Sequence, residues 1–160
     1  MKIEVFLILH NIRSLYNVGS IFRTADAAGV SKIFLTGYTP SPRDVFGNFR
    51  KEISKTALGA EKYMPWQKMS DIGGLTEELN GKKVQIVALE QSEKSIDYRK
   101  FRPRFPIALI LGNEVRGISP ALLKKCDKII EIPMRGRKES LNVAVSAGVA
   151  LFRILENTKN

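Results

Sequence analysis

The stretch Ile107-Ala108-Leu109-Ile110-Leu111-Gly112-Asn113-Glu114-Val115-Arg116-Gly117-Ile118-Ser119 runs five apolar residues in succession into a glycine-flanked acidic turn. A continuous apolar run of strand length, without apolar-polar alternation, belongs to a strand covered on both faces, which is the habit of parallel sheets. Comparable runs, rich in Ile, Val, Leu or Phe, stand at residues 3–9, 32–36, 84–89 and 129–132. Helical patterns separate them. Over 18–28, Ile21, Phe22, Ala25 and Ala28 form one apolar face, with Asn17 at the N-cap position and Gly29 as a left-handed C-cap. Residues 68–79 read as a helix closed by Asn80-Gly81, Ser119-Pro120 opens another to about residue 125, and the last spans 142–156. The pattern predicts an α/β fold, a three-layer sandwich around a mostly parallel sheet.

The 160 residues carry 26 Lys plus Arg against 16 Asp plus Glu, a formal charge of +10. With 44% hydrophobic and 26% charged residues, the composition is that of a globular domain and excludes a disordered or collagen-like chain. The lone Cys126 has no disulfide partner, and neither it nor the lone His10 has the neighbours a metal site needs, so no metal is expected. A reducing, cytoplasmic setting fits that usage. The apolar run at 3–9 is short for a signal peptide, and none approaches the roughly 20 residues of a membrane span. The positive charge eases association with polyanions such as nucleic acid, without establishing it. Two segments read as loops. Residues 38–50 and the adjoining Lys51 combine Arg43, Phe46, Phe49 and Arg50, a mixture that either stacks on unpaired bases beside phosphate contacts or tucks its rings onto the core. Residues 92–106 read as a basic linker.

Three constellations carry candidate chemistry. Residues 11–23, NIRSLYNVGSIFR, lie between the first strand and first helix, at the strand-end crevice where open α/β sheets bind ligands. Arg23 sits on an otherwise apolar helix, its guanidinium expected to reach back toward that crevice. In the 107–119 stretch, Gly112 and Gly117 permit a close backbone approach, yet the segment lacks both the dinucleotide GxGxxG and the P-loop Lys-Ser/Thr. Residues 131–148, EIPMRGRKESLNVAVSAG, end a strand at Pro133, pass through a basic loop, and enter a small-residue helix at Ser140 and Asn142.

In order and spacing these three motifs resemble those of the SPOUT superfamily of methyltransferases, in its SpoU/TrmH branch of RNA 2′-O-ribose methyltransferases. The resemblance covers nearly the whole chain. It implies a SPOUT domain with a deep C-terminal trefoil knot, S-adenosylmethionine as cofactor, and a homodimer whose active site draws on both subunits; many relatives append a separate RNA-binding domain, and this sequence, departing from that pattern, is expected to be a single domain over 1–160 without one. Carried over, Asn17, Arg23, Glu114, Ser140 and Asn142 match the active-site positions. The cofactor would lie against Leu89, Gly112, Ile132, Met134, Ser140 and Leu141. A sulfonium methyl already has a good leaving group, so the protein must position a ribose hydroxyl and help remove its proton. Arg23 matches the family's proposed base, but a guanidinium rarely deprotonates, so an RNA phosphate oriented by Arg23 is an alternative acceptor. RNA contacts, whether to tRNA or rRNA, would fall to Arg13, Arg43, Arg50, Lys51, Arg116, Arg135, Arg137 and Lys138. Two other readings remain: a SPOUT enzyme that methylates a base nitrogen, which would present an acidic residue to the base, and a knotted RNA-binding module without catalysis.

Overall fold

A computed structural model describes residues 3–158. Among the described residues, seven strands form one sheet: β1 (Val5–His10), β2 (Lys32–Thr36), β3 (Trp66–Met69), β4 (Gln85–Leu89), β5 (Ile96–Asp97), β6 (Ile107–Leu111) and β7 (Lys128–Glu131). Their order across the sheet is β3-β2-β1-β6-β4-β7-β5, and every pairing is parallel. Six helices accompany them: α1 (Leu15–Ala28), α2 (Lys51–Ala57), α3 (Ala60–Tyr63), α4 (Ile72–Gly81), α5 (Pro120–Leu123) and α6 (Val143–Leu155).

The three layers follow from alternation within the buried strands. On one face Leu7, Leu9, Ile33, Leu35, Leu109 and Leu111 pack against Ile21 and Phe22 of α1, Ile53 of α2 and Leu151 of α6. On the other, Ile8, Phe34, Ile86, Ala108 and Ile110 meet Leu75 and Leu79 of α4 and Leu122 of α5. The central strand β6 is buried at every residue, which is why its sequence is uninterrupted by polar groups. The sheet edges are short and polar: β3 exposes Gln67 and Lys68, and β5 is two residues long and ends at Asp97. Such edges discourage pairing with another chain.

The expected strands and the last helix lie within one or two residues of their predicted bounds, Gly29 closes α1 at φ 76°, and Ser119 caps α5 with Pro120 at its first position. Three expectations need correction. Helix α1 starts at Leu15 and not Val18, because Ser14 Oγ accepts the Asn17 N–H at 3.2 Å and so occupies the cap that Asn17 was expected to fill. Residues 68–69 belong to β3, held by its parallel ladder to β2, so the helix expected from Lys68 begins only at Ile72. An edge strand exposed along its middle carries no apolar run, and the period-2 signal is lost in four residues. Residues 92–106 are not a plain linker. They contain β5, bury Phe101, pair Arg99 with Asp97 at 2.5 Å, and receive the Arg153 guanidinium on the Arg99 carbonyl.

Helices α1 and α2 close on each other at Gly19, where a Cβ would stand 2.0 Å from Thr56 Oγ1 and 2.3 Å from the Ile53 carbonyl oxygen. Gly19→Ala should therefore lower the unfolding free energy by about 1–3 kcal/mol despite the better helix propensity of Ala. Gly81→Ala, whose Cβ meets nothing within 4 Å, should be neutral or slightly stabilising. Urea unfolding of both variants checks the contrast.

Candidate active site

The loops that leave the carboxyl ends of β4, β6 and β7 converge with the segment entering α6 around a cavity of about 690 Å³. This is the crevice position of open α/β sheets, and the size suits a nucleoside-sized ligand. Its apolar walls include Leu89, Leu111, Leu123, Ile132, Met134 and Leu141, and the backbone of the β6 loop forms one side.

The β6 loop is folded by two side chains. Asn113, 8% exposed, accepts the N–H groups of Val115 and Arg116 on Oδ1 at 2.9 and 2.8 Å. Its Nδ2 donates to the Asn11 carbonyl and to Tyr38 Oη, both at 2.9 Å, so its amide is satisfied on both ends. Glu90 accepts the Ile118 N–H at 2.9 Å and the Gln91 N–H at 2.8 Å. The turn then needs glycine twice. Gly117 holds φ 65° with Glu90 Oε2 where a Cβ would be, and a Cβ on Gly112 would come within 2.5 Å of Ile118 and 2.8 Å of the Gly117 carbonyl.

Glu114 ties this loop to the start of α1. Its carboxylate accepts the N–H groups of Arg13 and Ser14, each at 3.1 Å, and the Asn17 amide at 3.4 Å. Burial pushes the Glu114 carboxyl upward, but the backbone N–H groups of Arg13 and Ser14, with the Asn17 amide, outweigh it and hold the group below the usual Glu range. Asn17 in turn accepts the Asn142 amide at 3.1 Å, and Asn142 Oδ1 caps α6 through the Ala144 and Val145 N–H groups at 2.9 and 3.3 Å. One polar chain thus joins the three sequence motifs. Gln91 adds a further tie by donating to the Glu139 carbonyl at 2.6 Å.

Of the residues singled out from sequence, Asn17, Glu114, Ser140 and Asn142 line this cavity, as do Leu89, Gly112, Ile132, Met134 and Leu141 and the cation Arg116. Arg23 does not. It is exposed on α1, and the crevice it was expected to reach is lined without it. Arg13 and Arg50 line a second hollow, Arg43 covers the Phe49 ring at 3.9 Å, and Lys51, Arg135, Arg137 and Lys138 are exposed. Glu90, Gln91 and Asn113 were not singled out, although Asn113 lies inside a quoted motif. Their work is to fold loops through partners distant in sequence, which no local spacing displays. Cys126 stays a thiol, pushed up to about 11 by burial and by the Asp127 carboxylate. His10 is lowered by burial and shares a 2.9 Å contact with Thr36 Oγ1. Among the described residues, no cluster of His, Cys, Asp and Glu is arranged to hold a metal ion.

Residues 4–152 match the SpoU rRNA Methylase family. A Staphylococcus saprophyticus protein assigned to the TrmH family of tRNA/rRNA methyltransferases is 33% identical over 153 residues, 96% of this chain and 59% of that protein. An rRNA methyltransferase from Sinorhizobium meliloti, solved with AdoMet bound, superposes with a TM-score of 0.83 at 31% identity over 98% of this chain and 57% of that one. The A. aeolicus TrmH/SpoU tRNA modifying enzyme does so with a TM-score of 0.83 at 27% identity, over 97% and 75%. The chain spans a little under three fifths of the first two relatives.

Because its folded carboxyl sits lower than an unfolded one, Glu114 stabilises the fold fully above the ordinary Glu value of about 4.3 and loses that contribution as pH falls through the lower folded value. The stability gap between wild type and Glu114→Gln should be widest at neutral pH and close in acid. Denaturant titrations across a pH series measure it.

Proposed function

The chain belongs to the SpoU methylase family, and we propose that it transfers a methyl group from S-adenosylmethionine to a ribose 2′-hydroxyl of tRNA or rRNA. The observation that carries the ribose reading is the state of the cavity's carboxylates. Glu90 and Glu114 accept backbone N–H groups, and Glu131 accepts the Ser95 hydroxyl at 2.8 Å. Each is already engaged by a donor of the fold, which disfavours a role in presenting a carboxylate to a base nitrogen, and Glu114, ionised and lowered, is a poor proton acceptor. It acts as a positioning residue.

The cofactor fits the residues present. Gly112 lets the β6 loop fold closely on itself beside the cavity, since a Cβ there would meet Ile118 and the Gly117 carbonyl, and the apolar walls suit a flat adenine while backbone groups would meet its edge. Leu89, Gly112, Ile132, Met134, Ser140 and Leu141 would hold it. When bound, S-adenosylmethionine supplies a methyl on a sulfonium that is ready to leave. What remains for the chain is to orient the ribose and pass on its proton. Asn17 and Asn142, fixed by one another at the cavity wall, are placed to orient it.

Arg23 supports the two-subunit part of the reading. A guanidinium exposed outside its own cavity serves the reaction if a second copy carries it over the cavity of the first. Helix α6 offers a face for that copy, because Val145, Val149 and Phe152 are 36–54% exposed at helical spacing along one side. The trefoil knot belongs to the same proposal, with the segments around 112–117 and 133–142 threading one another.

Transfer of labelled methyl to tRNA or rRNA, followed by nucleoside analysis, should yield a 2′-O-methylated nucleoside. A methylated base overturns the ribose assignment, and cofactor binding without transfer to either RNA favours the binding-module reading. Arg23→Ala should keep cofactor affinity and lose transfer. Mixing it with Gly112→Val, whose side chain would collide with Ile118 and the Gly117 backbone and so deform the β6 loop at the cavity, should restore about a quarter of wild-type activity, since half the dimers then contain one complete site. No recovery means that Arg23 serves its own subunit.

A further inference from the structure

Between β2 and α2 the chain forms a loop whose tip is both rigid and bare. Asp44 Oδ1 accepts the N–H groups of Phe46 and Asn48 at 2.9 and 3.0 Å, and the Asp44 and Gly47 N–H groups bond within the tip to Asn48 and Asp44 carbonyls at 2.9 and 3.0 Å. Arg43 Nη1 donates to the Gly47 carbonyl at 2.6 Å, with Gly47 at φ 82°. Phe49 is covered by Arg43, with Lys62 5.8 Å from its centroid. Its neighbours are not covered: Val45 is 90% and Phe46 85% exposed. The sequence left open whether these rings stack outward or pack inward. The fold divides them, Phe49 engaged and Phe46 free.

At the base of the same loop lies a hollow of about 500 Å³ lined by Arg13, Tyr38, Ser41, Arg50 and Lys68 among others. Lys68 Nζ donates to the carbonyls of Gly37 and Thr39, and Arg50 Nε to that of Ser41 at 3.1 Å, which brings the cations inward and leaves further donors on both. Burial lowers the Lys68 ammonium, a cost that an anion in the hollow would offset. The hollow adjoins the cavity of the candidate active site through two residues. Arg13 lines it while its N–H is held by Glu114, and Tyr38 lines it while its hydroxyl accepts from Asn113.

We propose that the 38–50 loop guides single-stranded RNA, with a phosphate seated among Arg13, Arg50 and Lys68 and an unpaired base further along the strand stacked on Phe46. This rests on the RNA methyltransferase reading above and deepens it by assigning the strand its path. Charge complementarity selects the occupant: the hollow is cationic, Arg43 and Lys51 flank the loop, and the tip's carboxylate, Asp44, is occupied by backbone donors. A single strand presents phosphates and open base faces together, whereas a duplex hides the faces within its stack. A tip already fixed by its own hydrogen bonds loses little conformational freedom on stacking.

The test replaces Phe46 with Trp and follows emission against the wild-type Trp66 background while a short mixed-sequence RNA strand is added, alone or annealed to its complement. The single strand should quench the new signal and the duplex should not. Phe46→Ala should weaken single-strand binding by about ten-fold, with cofactor affinity unchanged. Arg13→Ala and Arg50→Ala should each lower the slope of log affinity against log salt by about one. Equal quenching by the duplex, no quenching by the strand, or wild-type affinity in Phe46→Ala overturns the proposal. So does a signal that changes with protein concentration alone, since a second copy would then cover the tip. Quenching without any methyl transfer would instead overturn the methyltransferase reading and leave the strand guide standing.

Discussion

The carboxylate of Glu114 joins two loops a hundred residues apart by accepting the N–H groups of Arg13 and Ser14, and the cavity takes its shape from that contact. A helix start exposes N–H groups that have no partner within the helix, and a carboxylate is the side chain that best satisfies them. Here the acceptor comes from the loop after β6, so the entry to α1 is tied to that loop as well as to its own strand. Asn17 and Asn142 extend the tie to α6, with the Asn17 side chain available because Ser14 has taken the cap. Three segments far apart in the chain thereby share one hydrogen-bonded seam along the cavity wall.

The cavity is built from backbone as much as from side chains. Gly112 and Gly117 let the β6 loop pass close to Ile118 and Glu90, and Glu90 and Asn113 satisfy the loop's N–H groups so that it need not be covered by regular structure. A site formed in this way binds and orients. Among the described residues that line it there is no Cys, His or Lys, and its carboxylates are engaged by donors of the fold, so the side chains around it offer no ready base. That restraint agrees with methyl transfer from a sulfonium, where the leaving group is good and the demand on the protein is geometry.

Charge is distributed outside this seam. Arg116 stands at the cavity, Arg13 and Arg50 at the neighbouring hollow, and Arg135, Arg137 and Lys138 on the segment before α6. Among the described residues none of these six pairs its charged side-chain group with a carboxylate within 4 Å, so their charge is free for a polyanion. In the proposed RNA complex such contacts would supply affinity and register, and the tip at Phe46 would add a preference for unpaired strand.

The sequence by itself determined the layers, because a strand buried on both faces must be apolar throughout, as β6 is, and because Gly29 and Ser119-Pro120 can mark helix ends through local backbone geometry alone. Asn17, Glu114 and Asn142 were also legible, as polar residues in motifs with a familiar order. Tertiary structure decided what those residues do. The half-exposed strand β3 was hidden by the lack of an apolar run, and its ladder to β2 exists only once the sheet forms. The cap at Ser14, the Glu114 clamp, the loop-folding Glu90 and Asn113, and the outward position of Arg23 all depend on contacts between segments distant in the chain. Hydrogen bonding is directional and short-ranged, so a residue's partner is fixed by where the fold brings it, and local spacing carries no record of that position.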